Sequence, residues 1–189
     1  MEQRHREILQ RPHPEEYVPS YLDALTADER WAITDFIVDL SESEVKPYLQ
    51  LDNILEAAFY TASRLFGLSF AERHDVPVYH PDVRVWEVTR NGQHIGLWYF
   101  DPYARPGKRS GAWMNDYRPQ HRMDGDIKTI VSNNSNFVKG APGEPVLISW
   151  DDAETLFHEF GHAIHGLNSN VTYPRQSGTN VARDYVEFP

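Results

Sequence analysis

The sequence predicts an α+β fold, rich in helix, in which an antiparallel sheet of about four strands packs against helices. Two observations support this fold class. Apolar residues recur at helical spacing before residue 67 and again after residue 149. Between these segments the spacing changes to the two-residue period of strands, around an Asn91-Gly92 turn. Of the 189 residues, 40% are hydrophobic and 24% are charged, a composition typical of a globular domain.

The N-terminal part is predicted to contain a leader and two helices. Residues 1–30 are polar and contain closely spaced prolines, and we interpret them as a poorly defined leader. Thr26-Ala27-Asp28-Glu29 matches a capping box, and the apolar residues after it predict a first helix. A second helix is predicted to begin at Asp52 and to end at Gly67, with its apolar stripe, Leu65 and Phe66 included, in the core.

Strands are predicted from Val76 onward. Asn91-Gly92 is the strongest two-residue signal for a β-hairpin, and apolar strand-like runs flank it on both sides. Further strands are expected at about 110–117 and 127–138, separated by a polar stretch. We expect strand 127–138 to be an edge strand whose backbone could bind an extended peptide; alternatively, its serine and asparagine side chains simply face solvent.

Charge and composition limit the partners and the compartment. The net charge of −10 argues against nucleic acid and favours neutral or basic peptides. The absence of cysteine permits a reducing compartment. No apolar run reaches the length of a membrane span, and the first residues lack the apolar core of a signal peptide. We therefore expect a cytoplasmic protein without membrane contact.

The segment His158-Glu159-Phe160-Gly161-His162 contains the pattern His-Glu-x-x-His. On a helix, residues i and i+4 share a face, so both imidazoles can bind one ion and form half of a tetrahedral zinc site. Glu159 lies further round the helix, where it can act on the attacking water without ligating the metal. The pattern predicts a zinc metallopeptidase in which Glu159 is the general base.

The flanking residues predict that this motif is helical. Ser149-Trp150-Asp151-Asp152 fits a capping box at the start of the helix, and Gly166 is expected to end it. Apolar residues between these ends, Phe157 among them, recur at helical spacing. The segment is therefore expected to be an amphipathic helix rather than a loop.

A catalytic zinc ion needs a third protein ligand and an open coordination position. The pattern H-E-x-x-H-x-x-G-x-x-H is absent, because position 165 is His and position 168 is Asn. A carboxylate further along the chain is therefore expected as the third ligand. Asp184 and Glu187 are the candidates, and both lie in a helix predicted after the motif helix. Asp184 and Glu154 could instead accept hydrogen bonds from the ligating histidines, or could simply be solvated.

These motifs resemble the thimet oligopeptidase family of zinc metallopeptidases, and its bacterial peptidyl-dipeptidases most closely. The resemblance covers about residues 40–189 and includes three further segments: Glu44–Asp52, Arg64–Leu68 and Trp98–Lys108. It implies a zincin-type catalytic domain with zinc bound by His158, His162 and Glu187 and with Glu159 activating water. It also implies short peptides as substrates, with release of C-terminal dipeptides.

Members of this family are several times longer than this chain. The resemblance implies that a later segment supplies oxyanion donors and recognises the substrate C-terminus. We therefore interpret residues 31–189 as a partial catalytic domain, truncated at its C-terminus, whose partner could be the missing remainder of that domain. Two alternatives remain, a catalytically incomplete zinc-binding fragment and an oligoendopeptidase of the same family.

Overall fold

The computed structural model describes residues 42–187, so the proposed leader and the helix predicted after Thr26 lie outside the described range. The described helices are α1 (Glu42–Val45), α2 (Leu51–Phe66), α3 (Trp150–Leu167) and α4 (Arg183–Val186). The strands are β1 (Leu68–Glu72), β2 (Arg84–Arg90), β3 (Gln93–Tyr103), β4 (Trp113–Arg118) and β5 (Thr129–Phe137). Across residues 42–187, none of the helices combines the length and the hydrophobicity required to traverse a bilayer.

The five strands form one mixed sheet in the order β1-β2-β3-β5-β4. The expectation of an antiparallel sheet of about four strands is wrong in two respects: β1 is an additional strand, and β3 pairs with β5 in parallel. β1 was missed because a single one of its residues, Leu68, is buried, which leaves a weak apolar pattern. The parallel pair arises because β5 is mostly buried and takes an interior position, whereas β4 is more exposed and takes the edge.

The prediction that strand 127–138 is a peptide-binding edge is therefore wrong. β5 pairs with β3 on one side and with β4 on the other, and Ser132, Asn133 and Asn134 are buried. Asn133 accepts a hydrogen bond from Trp98 Nε1 at 2.6 Å, and Asn134 donates to Ser132 Oγ at 3.2 Å. Because these polar side chains have partners in the interior, they do not need solvent. The edge strand on this side of the sheet is β4.

The hairpin between β2 and β3 is confirmed. Asn91 and Gly92 form its turn, with φ angles of 50° and 75°. A type I′ turn requires positive φ at both central residues, which asparagine and glycine adopt at low cost. The turn aligns Arg90 with Gln93 and Trp86 with Trp98.

The helix predicted to begin at Asp52 is also confirmed, as α2, with one correction to the residues that it buries. α2 ends where Gly67 adopts the left-handed conformation, with φ of 65°. Its buried stripe consists of Leu51, Leu55, Ala58 and Ala62. Leu65 and Phe66 are 69% and 44% exposed, so the stripe stops at Ala62 and the last turn of the helix does not contribute to the core.

Helix α3 begins with the predicted capping box. Ser149 Oγ accepts from the backbone N–H of Asp152 at 3.0 Å, and Asp152 Oδ2 accepts from the N–H of Ser149 at 3.2 Å. Gly166 does not end the helix, which continues to Leu167. Glycine is needed at position 166 for space, because a Cβ there would lie 2.9 Å from Val131 Cγ1. Phe157 is 37% exposed and does not join the core as expected.

Aromatic rings fill the space between the helices and the sheet. Phe160 of α3 lies 5.2 Å from the Trp98 ring and 6.0 Å from the Phe59 ring, measured between centroids. Phe59 of α2 also stacks on Phe70 at 4.3 Å. Such ring pairs each contribute about 1 kcal/mol beyond the burial of their area. This cluster fixes both long helices on the same face of the sheet.

A buried carboxylate organises the loop that connects β3 to β4. Asp101 is 1% exposed; it accepts two hydrogen bonds from Arg105, at 2.6 and 2.7 Å, and one from Lys108 at 3.0 Å. Burial raises the pKa of Asp101, but the hydrogen bonds from Arg105 and Lys108 outweigh this effect and hold the pKa below its usual value. The carboxylate thus stays charged and holds the start of the loop that leads to β4.

We expect Asp101→Asn to lower the free energy of unfolding by about 3 kcal/mol, because it leaves the buried Lys108 ammonium without its counter-charge. Urea denaturation followed by circular dichroism measures this change. The matched control is Asp75→Asn, which removes a solvent-exposed ion pair with Arg73 and should cost far less. Equal losses in the two variants would contradict the structural importance of Asp101.

Asp116 on β4 predicts a pH dependence of stability. Both of its carboxylate oxygens are buried and make no hydrogen bond of normal geometry within residues 42–187. Burial raises the pKa of Asp116, and the backbone N–H of Arg118 offsets this only in part. A group with a raised folded-state pKa contributes stability that is fully present below its unfolded pKa, roughly 3.9, and is lost as the pH rises through its folded pKa.

As the pH rises from 4 to 7, the free energy of unfolding of Asp116→Asn should therefore fall less than that of the unaltered chain. At pH 7 the variant should be more stable than the unaltered chain by about 1 kcal/mol. Urea titrations at the two pH values measure this difference. Asp124→Asn, at an exposed position, is the control and should follow the unaltered chain. An Asp116→Asn variant with an unchanged pH profile would mean that solvent reaches the carboxylate.

Candidate metal centre

The orientation of α3 places the two histidines of the His-Glu-x-x-His motif on the side of the helix that faces away from the sheet. Phe160 lies midway between the two histidines, and each histidine is about 200° round the helix from it. Since Phe160 is buried against the sheet, both imidazoles point away from the core. The side chain of His158 is 40% exposed and that of His162 is 12% exposed.

Three ligand atoms converge at this point. The Nε2 atoms of His158 and His162 lie 3.0 Å apart. Oε2 of Glu187, which follows α4, lies 3.3 Å from the His158 nitrogen and 3.6 Å from the His162 nitrogen. His158, His162 and Glu187 are the histidine and acidic residues within 42–187 whose possible ligand atoms form a group of three close enough to share a metal ion.

These distances fit a zinc ion. Zinc binds imidazole nitrogen and carboxylate oxygen at about 2.0–2.2 Å, so tetrahedral geometry separates neighbouring ligand atoms by roughly 3.3–3.5 Å. The three measured separations, 3.0, 3.3 and 3.6 Å, bracket that value. Two neutral imidazoles and one carboxylate are also a donor set typical of catalytic zinc, with a fourth position left open.

An open cavity of about 280 Å³ lies over the three ligand atoms. One wall comes from the start of the edge strand β4 and the residue before it, Ala112 to Met114. Further lining comes from Thr179, Val186 and Glu187, which follow α3 in the chain. The cavity therefore joins the edge of the sheet to the candidate metal position.

Glu159 lines the same cavity and has a perturbed acidity. Burial raises the pKa of its carboxyl group, whereas the nearby His162 and His158 lower it; the burial effect is the larger. Since a general base is most effective when its pKa approaches the working pH, this shift is in the favourable direction. Glu159 lies between the buried face of α3 and the histidines, as its position in the motif predicts.

The other residues considered from the sequence lie elsewhere. Asp184 is exposed, and within residues 42–187 no hydrogen bond joins it to His158 or His162. Glu154 accepts a hydrogen bond from Trp150 Nε1 at 3.0 Å. The ring of His165 lies 6.2 Å from the Tyr185 ring, and burial lowers the pKa of His165. Of the two acidic candidates after His165, the structure thus brings Glu187 to the histidines.

Two contributions to the site were missed. Asn133 of β5 donates a hydrogen bond to the backbone carbonyl of Glu159 and so connects the sheet directly to the motif. The residues Ala112 to Met114 form a wall of the cavity although their segment has no chemical motif. The signal that could have indicated Asn133 is its position inside a strand pattern, where a polar side chain needs a buried partner.

The site has the donor set and spacing of a His-Glu-x-x-His metallopeptidase centre. Comparison with known proteins agrees with this class. The model of peptidase family M3 matches residues 31–189, and the chain belongs to that family. The resemblance to a peptidase family that was inferred from sequence motifs is therefore confirmed.

The relatives are named peptidases. The chain is 50% identical to dipeptidyl carboxypeptidase of Escherichia coli (strain K12), over 80% of this chain and 22% of the relative. It is 37% identical to oligopeptidase A of the same organism, over 81% of this chain and 23% of the relative. The chain thus spans about a fifth of the length of the curated relatives that it matches.

Proposed function

We propose that this chain forms the zinc-binding part of a catalytic domain that hydrolyses short peptides. In this proposal His158, His162 and Glu187 bind zinc, and Glu159 is the general base. The observation that supports it most directly is the convergence of three ligand atoms, separated by 3.0–3.6 Å, beside a glutamate whose pKa is raised by burial. Membership of peptidase family M3 supports the same chemistry.

The roles of the chain's own residues follow from this arrangement. Zinc, when bound, supplies Lewis acidity toward the attacking water and the peptide carbonyl. Glu159 accepts a proton from the attacking water and delivers it to the leaving amine. Its position on the wall of the cavity, next to His158 and separate from the three ligand atoms, suits that proton transfer.

We propose that the substrate binds along β4 in an extended conformation. β4 is an edge strand whose start lines the cavity, so an extended peptide can pair with backbone groups along its outer edge; the backbone N–H of Met114 already donates to Glu159. The peptide would lie with its scissile bond near Glu159. Backbone pairing suits a peptidase that accepts varied sequences, and the net charge of −10 favours neutral or basic peptides.

The proposal includes release of C-terminal dipeptides, because the relative with 50% identity is named a dipeptidyl carboxypeptidase. Two alternatives have support of their own. Similarity to oligopeptidase A favours an oligoendopeptidase. The limited share of the relatives' length favours a zinc-binding fragment that needs further protein for turnover. The cytoplasmic location and the lack of nucleic-acid or membrane partners remain predictions.

Zinc ligation is tested by affinity. The chain should bind one zinc ion, and Glu187→Ala should weaken binding at least about 100-fold, since even outer-shell partners of ligands contribute 10–100-fold. Competition with a chromogenic chelator measures the dissociation constant. The matched control is Asp184→Ala, the other acidic candidate in the same segment, which should bind as the unaltered chain does. Loss of zinc in the control variant would assign the third ligand to Asp184 instead.

The role of Glu159 is tested by separating binding from turnover. Glu159→Gln should keep zinc affinity within about twofold and, in an intact enzyme that contains this chain, lower kcat by at least 10²-fold, the lower end for general-base catalysis. Metal analysis and a fluorogenic peptide assay measure the two quantities. Undiminished kcat in this variant would refute the assignment. Zinc binding without turnover in the unaltered chain would favour the zinc-binding fragment over the complete peptidase.

A further inference from the structure

Glu187 lies in a segment that has little helical structure of its own. Its carboxylate meets the histidines at the end of a return segment, residues 168–187, in which α4 has four residues. Such a short helix has little stability of its own and cannot fix the position of a side chain. Contacts of the return segment with the rest of the fold must therefore determine where Glu187 lies. Hydrogen bonds with Gln120 and Arg122 hold its start, and contacts with α3 hold the part closer to Glu187.

One of the contacts with α3 brings two glycines together. Gly178 has φ of 53°, and a Cβ at this position would lie 3.0 Å from Cα of Gly166 and 3.5 Å from its nitrogen. Both of those atoms belong to the helix backbone, which cannot move aside as a flexible side chain could. The return segment thus lies directly against the backbone of α3, one turn beyond His162.

Side chains of the sheet lie close to Gly166 on its other side. A Cβ on Gly166 would lie 2.9 Å from Val131 Cγ1 and 3.2 Å from Met114 Cε. The helix backbone is therefore confined between side chains of the sheet and the backbone of the return segment. A side chain at position 178 would have to be accommodated by movement of the return segment, because α3 is held by its packing on β4 and β5.

Hydrogen bonds hold the same contact. The N–H of Gly178 donates to Ser169 Oγ at 2.6 Å, and that hydroxyl donates to the carbonyl of His165 at 3.2 Å. Ser177, next to Gly178, is completely buried. Nine residues after Gly178 the chain reaches Glu187, so a displacement at the contact is transmitted to the carboxylate over a short distance.

We propose that the contact between Gly166 and Gly178 positions the third metal ligand, so that residue 178 must be glycine for Glu187 to reach both histidine nitrogens. This inference rests on the proposed zinc ligation. Gly178 is a positioning residue: it touches neither metal nor substrate, and it acts through Glu187. Its role therefore differs from that of glycines that are needed for their turn conformation alone.

The experiment compares Gly178→Ala with Gly67→Ala. Both glycines are left-handed, with φ of 53° and 65°, but a Cβ on Gly67 has no atom within 4 Å. The positive φ should therefore cost both variants a similar amount of stability, and Gly178→Ala adds the contact with Gly166. Only Gly178→Ala should weaken zinc binding, by at least about tenfold, as expected when the third ligand is displaced. Gly67→Ala should bind zinc within about twofold of the unaltered chain.

Three further tests separate positioning from general damage. In a double-mutant cycle, adding Gly178→Ala to Glu187→Ala should cost no further zinc affinity, because both changes remove the same ligand. Visible absorption of the Co²⁺-substituted protein should change in the same way for both single variants. Ser169→Ala, which removes the acceptor of the Gly178 N–H without adding bulk, should weaken zinc binding more mildly, by about threefold or more.

The outcomes are distinct. Zinc affinity that is unchanged in Gly178→Ala, or weakened no more than in Gly67→Ala, overturns the positioning role and leaves the proposed function intact. Full additivity with Glu187→Ala overturns it as well. If Gly178→Ala does not fold, Ser169→Ala decides, and unchanged affinity in that variant overturns the inference. Failure of the unaltered chain to bind zinc overturns the proposed function, and the inference with it.

Discussion

The packing of Phe160 against the aromatic cluster of the sheet is the interaction on which the candidate metal centre depends. Phe160 lies between the two histidines in the motif, so its burial beside Trp98 and Phe59 sets the rotation of α3. With that rotation, His158 and His162 point to one position outside the core, and Glu159 lies between the core and that position. A helix with the same motif but another rotation would bury the imidazoles or separate them from Glu187.

The sheet contributes more than a surface for the helix. Asn133 links β5 to the backbone of α3 at Glu159, and the exposed strand β4 forms one wall of the cavity. The Asp101 cluster holds the start of the loop that leads into β4. Helix, interior strand and edge strand are therefore fixed relative to one another around a single opening. A site built on such packed elements keeps its geometry better than one built on loops.

The sequence was most informative where local chemistry decides the structure. Asn91-Gly92, the Ser149 capping box and Gly67 each act within a few residues, through backbone dihedral angles or short-range hydrogen bonds. It was misleading where polar residues are buried. Asn133 and Asn134 suggested an edge strand, but their partners come from distant parts of the chain, and hydrogen bonding allowed β5 to lie inside the sheet. Gly166 suggested a helix end, but it is small because Val131 and Met114 leave no space for a side chain.

By itself the sequence determined the relative directions of His158, Glu159 and His162, because these residues share a helix of fixed period, and it thereby predicted the candidate metal centre. The sequence left Asp184 and Glu187 as the candidates for the third metal ligand, and family resemblance favoured Glu187. Only the tertiary structure decided how the donors meet. The carboxylate of Glu187 reaches the imidazoles through a return segment whose path depends on contacts with α3 and with Gln120 and Arg122, and such long-range contacts leave no periodic signal in the sequence.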